Sequence, residues 1–191
     1  MGILDTDELI LRQAGTNLST RTSGYELAQP SGELLATVEQ DVRPGLVGRL
    51  LTERPGLRRA ELEVLDPSGA RMLGIAKARS RLGGVNVAVS LTDGRPIGSA
   101  VATSRRDVTL YDPAGAELGR TRRDSAVLTT LLDAAGTEIG TIARQLRTRS
   151  SLAAGQSAAT TFELRFAPSM PVAVRALSIA YAVAGALQRV R

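Results

Sequence analysis

The chain of 191 residues contains no cysteine, no histidine and no tryptophan, and Lys77 is its only lysine. Each absence removes a class of chemistry. Without cysteine there is no disulfide framework, no thiol nucleophile and no thiolate ligand for zinc or an iron–sulfur cluster. Without histidine there is no Ser-His-Asp triad, no imidazole acid or base and no His-ligated metal. Aromatic side chains are scarce too: Tyr25, Tyr111, Phe162, Phe166 and Tyr181 are the whole set. Proteins that hold single-stranded nucleic acid stack its bases on rings, so this scarcity argues against nucleic acid as a partner.

What remains is 43% hydrophobic and 23% charged, too apolar for a disordered chain and long enough to bury one core. The formal net charge of +5 is unevenly spread. Residues 1–100 carry 12 basic and 12 acidic side chains, whereas 101–191 carry 12 basic and 7 acidic. The excess therefore lies in the second half, entirely as Arg, and its field favours anionic partners such as phosphate groups or anionic lipid. The opening residues MGILDTD lack the basic region and apolar stretch of an export signal. A cytoplasmic location is expected, at the membrane periphery if lipid is bound. Gly2 and Thr6 match a myristoylation pattern, but a two-residue match is short enough to arise by chance.

One turn recurs along the chain. Asp66-Pro67-Ser68-Gly69, Asp112-Pro113-Ala114-Gly115 and Asp133-Ala134-Ala135-Gly136 are each followed shortly by a second glycine, at Gly74, Gly119 and Gly140. Shortened copies occur at Asp93-Gly94, before Gly98, and at Pro30-Ser31-Gly32. Asp accepts bonds from backbone N–H groups just downstream, Pro presets φ, and Gly takes the left-handed conformation that closes a hairpin. The second glycine fits a bulge or a close approach to another backbone.

Between the turns the pattern is that of strands. Val85, Val87, Val89 and Leu91 alternate with smaller or polar residues, as do Leu62 with Val64, and Phe162, Leu164 and Phe166. Further strands are expected at 8–13, 24–28, 34–41, 46–53, 71–79, 97–103, 107–112, 117–123, 126–132 and 138–145. The last twenty residues differ. Ser169 and Pro171 supply a helix start, and a helix expected at about 171–188 is apolar almost all round. Its uncharged run, Ala176–Leu187, is too short to cross a bilayer, and Arg175 interrupts any longer window. Such a helix must be buried in protein. A single sheet buries it on all sides only by closing around it, and the small residues Ala176, Ala180, Ala182, Ala184, Gly185 and Ala186 suit a narrow lumen. The expected fold is mainly β: a closed antiparallel β-barrel of about twelve strands around a hydrophobic C-terminal central helix. Residues 1–7 form a short arm and 8–191 a single domain.

The order of these parts resembles the tubby C-terminal-like superfamily, most nearly its LURP-one-related and phospholipid scramblase-like branches. The resembling segments are Leu9-Ile10-Leu11-Arg12-Gln13, Tyr25-Glu26-Leu27 with Gly32 to Ala36, and the turn copies around Asp112 and Asp133. The closing strand Phe162–Phe166 running into the apolar helix completes the match. The resemblance implies a twelve-stranded barrel around a central helix, and recognition of phosphoinositide headgroups or association with lipid movement. Scramblases carry a calcium-ligand-like acidic segment beside the last helix and cysteines for acylation. Here 167–171 reads APSMP without a carboxylate, so neither calcium activation nor acylation is implied.

No constellation points to catalysis. Asp66, Asp93, Asp112 and Asp133 each open a turn, where Asp is favoured for structural reasons, and neither a phosphate-loop nor a Gly-x-Ser-x-Gly pattern occurs. The protein is expected to be non-enzymatic, with no cofactor and no metal. The candidate ligand-binding residues are Arg105, Arg106, Arg120, Arg122, Arg123, Arg144, Arg147 and Arg149, placed at strand ends or loops. Arg binds phosphate with a two-pronged fork, so several converging Arg suit an anionic headgroup or a phosphate-bearing ligand. The alternatives are a structural or protein-interaction module with incidental charge, and a tail-anchored membrane protein.

Overall fold

The computed structural model describes residues 2–13, 24–40, 60–79, 85–104, 106–145 and 161–187. They form twelve strands, β1 Glu8–Gln13, β2 Tyr25–Ala28, β3 Leu34–Gln40, β4 Ala60–Leu65, β5 Arg71–Arg79, β6 Val85–Leu91, β7 Pro96–Ala102, β8 Asp107–Tyr111, β9 Glu117–Arg123, β10 Leu128–Asp133, β11 Glu138–Gln145 and β12 Thr161–Phe166. One helix, α1 (Val172–Leu187), follows. The strand expected at 46–53 lies outside the described residues.

Each strand pairs antiparallel with its sequence neighbours, and β1 pairs with β12, so the sheet closes as an up-and-down barrel. At the seam Leu9 lies opposite Leu164 and Leu11 opposite Phe162. Outside the seam the Arg165 guanidinium bridges Glu8 and Glu163. Closure leaves no unpaired sheet edge.

The recurring turn has one architecture in every copy. Its glycine has positive φ, between 82° and 93° at Gly32, Gly69, Gly94, Gly115 and Gly136. The Asp66 carboxylate accepts bonds from the Ser68 and Ala70 N–H groups and the Ser68 hydroxyl. These bonds, the hydroxyl's first, hold its pKa below the usual carboxylate value. Asp112 and Asp133 accept from the Ala116 and Thr137 N–H groups in the same way.

A one-residue bulge follows each turn. The pairing register slips past Leu35, Met72, Ile97, Leu118 and Ile139. All five extra residues are apolar and pack on the core, so the bulges help close that end of the barrel. At Gly98, Gly119 and Gly140 an added Cβ would run into the carbonyl oxygens of Tyr111, Leu132 and Arg165. Close approach of the next strand is thus the reason for the second glycine in three copies. Gly74 sits one residue further along its strand and instead lies under the Arg71 side chain. Gly140→Val is expected to cost about 2–3 kcal/mol through this overpacking. A urea titration would show it as a lowered midpoint, and a midpoint equal to wild type would refute the close-approach account.

Central helix α1 is buried along most of its length, including Val174, Leu177, Ile179 and Val183. It packs most closely against β6 and β7, whose inward residues are small: Val87, Val89, Gly98, Ala100 and Ala102. The opposite wall, β12 and β1, offers Leu9, Leu11, Phe162, Leu164 and Phe166. Small residues let the helix approach one wall, and large ones fill the gap it leaves at the other. The helix is therefore a core element inside the sheet. No described helix is long and apolar enough to cross a membrane.

Candidate functional site

Alternating strand directions sort the connections between the two ends of the barrel. The five Asp/Gly-type turns lie at one end, which also carries Asp66, Asp93, Asp112 and Asp133. At the other end lie the β7–β8, β9–β10 and β11–β12 connections and the C-terminus of α1. Of the candidate residues, Arg106, Arg122, Arg123 and Arg144 fall at this second end. Arg120 sits lower on β9, its guanidinium reaching towards the turn glycine Gly136. Arg105, Arg147 and Arg149 lie outside the described residues.

Serine hydroxyls build two of the connections. Ser104 Oγ accepts from the Arg106 and Asp107 N–H groups and donates to the Asp107 carboxylate at 2.8 Å. Ser125 Oγ likewise accepts from the Val127 and Leu128 N–H groups. Arg106 is held exposed on the first of these turns.

Arg122 and Arg123 are sequence neighbours on opposite faces of β9. Arg122 is exposed and its Nε donates to Asp124 at 2.8 Å. The Thr130 hydroxyl donates to the same carboxylate, and these two bonds, Thr130's first, hold the Asp124 pKa below its usual value. Much of the Arg122 charge is thereby answered locally. Arg123 is in phase with buried Thr121 and directed to the lumen side, opposite Thr129. Arg144 is in phase with buried Ile142 and lies opposite buried Phe162, so it too is on the inward register. Its Nε is buried with no hydrogen-bond partner. The five described candidates, Arg106, Arg120, Arg122, Arg123 and Arg144, are therefore divided between two faces of the sheet.

A third inward cation was not among the candidates. Lys77 is in phase with Leu73 and Ile75 and opposite Val87, and desolvation lowers its pKa. Tyr25 also lies at this mouth, buried, its pKa raised by the same cause. The carboxylates at this end, Glu26, Glu39, Glu61, Asp107 and Asp124, lie on outward registers or in turns. Among the described residues, none is on an inward register here.

The other end is closed by a different cation. Arg175, in the first turns of α1, is 3% exposed. It donates to the Thr6 and Ala167 carbonyl oxygens and to the Asp7 carboxylate at 2.9 Å. Its guanidinium carbon lies 5.3 Å from the Phe166 ring centroid. Ile3 and Thr6 of the N-terminal arm are buried, and the Phe166 N–H donates to the Asp7 carbonyl.

Among the described residues no group of three metal-ligating side chains occurs. No protein-family description matches the chain, and no curated protein or solved structure matches it either.

Proposed function

We propose that the protein is a non-enzymatic barrel module of the LURP-one-related and scramblase-like type, which binds an anionic lipid headgroup or a phosphate-bearing ligand at its arginine-bearing end. One observation carries this reading: Arg106, Arg122, Arg123 and Arg144 share one end of the barrel, while the turn carboxylates Asp66, Asp93, Asp112 and Asp133 occupy the other. Such polarity orients a protein on an anionic surface, arginine end first, by long-range attraction that salt screens. A cytoplasmic protein peripheral to the membrane is the corresponding location.

Vesicle co-sedimentation tests it. Phosphatidylcholine vesicles containing phosphatidic acid are expected to bind the protein at low salt and release it at high salt. Pure phosphatidylcholine is expected not to bind. Replacing Arg106 and Arg122 by Gln removes two surface charges, each contributing about 1 kcal/mol near an anionic surface, for a loss of roughly thirtyfold. Equal binding to neutral vesicles, or none to either kind, would overturn the reading.

A protein-interaction module is the second reading. It is favoured by the uncharged outer wall on which Ala76, Ala88 and Ser99 lie side by side across β5, β6 and β7. Its signature is salt-insensitive association without vesicle binding.

A further inference from the structure

We infer that the mouth of the barrel, between β9–β11 and the end of α1, is a site for a phosphate-type anion held by Arg123 and Arg144. The inference rests on the reading that this end takes anions, and it moves the ligand from the outer surface into the lumen.

The register sets the geometry. Arg123 pairs with Thr129, Thr129 pairs with Ile142, and Arg144 is two residues beyond Ile142 on the same face. Two strand spacings and two residues of rise separate the two Cα atoms by about 12 Å. Side chains of arginine length, both on the inward register, span that gap and meet on one ligand between them. An anion there answers two otherwise costly features. Half-buried guanidinium groups on an inward register lose part of their hydration and gain from a counter-charge, yet no described carboxylate is on that register at this end. Among the described residues the Nε of Arg144 is a buried donor without a partner, and an oxyanion would supply the acceptor it lacks.

The helix leaves room and does not neutralise the site. Its closest packing is against β6 and β7, away from the wall that carries Arg144. At Gly185, in the last turn, an added Cβ would meet no described atom within 4 Å. The carbonyl end of α1 supplies roughly half a negative charge at the mouth, less than the charge of any one inward-register cation such as Lys77, Arg123 or Arg144. A tetrahedral oxyanion with several oxygens suits two forks approaching from β9 and β11, on either side of β10, because each guanidinium can engage a pair of oxygens.

The test uses the full chain and two probes. Inorganic phosphate, titrated against protein labelled at arginine nitrogen, is expected to shift the Nε–Hε resonances of Arg123 and Arg144 saturably and to leave that of Arg122 in place. The R123Q/R144Q variant is expected to bind phosphate at least about tenfold more weakly, and R95Q, in an exposed turn at the opposite end of the barrel, within about twofold of wild type. Should R123Q/R144Q fail to fold, R123K/R144K keeps the charge without the fork and is expected to bind more weakly than wild type. In the second arm, phosphatidic acid vesicles decide the source of the phosphate. Loss of vesicle binding in R123Q/R144Q assigns a lipid headgroup, and phosphate binding without vesicle binding assigns a soluble compound. Unshifted resonances, or phosphate binding equal to wild type in both inward variants, would overturn the site. If the Arg123 and Arg144 resonances stay unshifted and R123Q/R144Q binds vesicles normally while R106Q/R122Q does not, the lumen site falls and the surface reading stands. If wild type binds neither probe, both fall.

Discussion

Removal of residues 171–191 is expected to abolish the cooperative unfolding of the whole barrel. The deletion takes out α1, and with it the buried side chains Val174, Leu177, Ile179 and Val183 together with the alanines between them. Full burial of four such aliphatic residues contributes about 6–12 kcal/mol, which matches the entire stability of an ordinary domain, about 5–15 kcal/mol. The loss does not end with the helix. The inward leucines, valines and phenylalanines of the barrel wall would then face an open lumen, and a closed sheet of this size cannot collapse to fill it. Truncated protein should show no sigmoidal melt by circular dichroism and should bind a dye that reports exposed apolar surface. The tail-anchor alternative predicts the reverse: a truncated protein that is freed from membranes and melts as before. A cooperative transition within a few degrees of the full chain would mean that α1 is not the core.

Substitution of Arg175 by alanine is expected to lower stability by about 3–4 kcal/mol, close to the cost of breaking a buried ionic group. Arg175 is a hub. It ties the arm through the Thr6 carbonyl and Asp7, ties the β12–α1 connection through the Ala167 carbonyl, and lies over the Phe166 ring. Alanine leaves two carbonyl oxygens under-bonded, opens a cavity and removes a cation–π contact of about 0.5–2 kcal/mol. The partner change should be much milder. Asp7 is half exposed, so its charge is screened by water. Asp7→Asn should therefore cost under about 1 kcal/mol, since Arg175 keeps both carbonyls and the ring. Urea titrations of the two variants and wild type measure the contrast. Equal midpoints for Arg175→Ala and wild type would show that the hub contributes nothing to stability.

These two expectations involve parts of the molecule that differ in how plainly the sequence announces them. The helix is legible because its apolar residues run all round it, a pattern only burial in protein or lipid explains, and its length excludes lipid. The hairpins are legible because Asp, Pro and Gly are local devices: Asp66, Asp112 and Asp133 bond backbone groups within four residues of themselves. The second glycines at Gly98, Gly119 and Gly140 also do what their spacing foretells.

Side-chain direction was not legible in the same way. Read from Leu118, simple alternation along β9 turns Arg120 and Arg122 inward and Arg123 outward. The slip at Leu118 reverses this, so Arg123 falls on the inward register while Arg122 bonds Asp124 on the outer face. The same slip at Ile139 brings Arg144 inward. Nor does anything local mark Arg175 as a hub, because its partners Thr6 and Asp7 lie 169 and 168 residues away.

The sequence opened with absences, and those are final: no tertiary arrangement adds an imidazole or a thiol to a chain without histidine or cysteine. The sequence likewise determined the hairpins and the need to bury one apolar helix, because turn bonding and apolar periodicity act over a few residues. Tertiary structure alone decided the end and the register on which each arginine lies. Closing the ring sends alternate connections to opposite ends, and each one-residue bulge exchanges the two faces of its strand. Together these divide the positive charge between an exposed rim and the inside of the barrel.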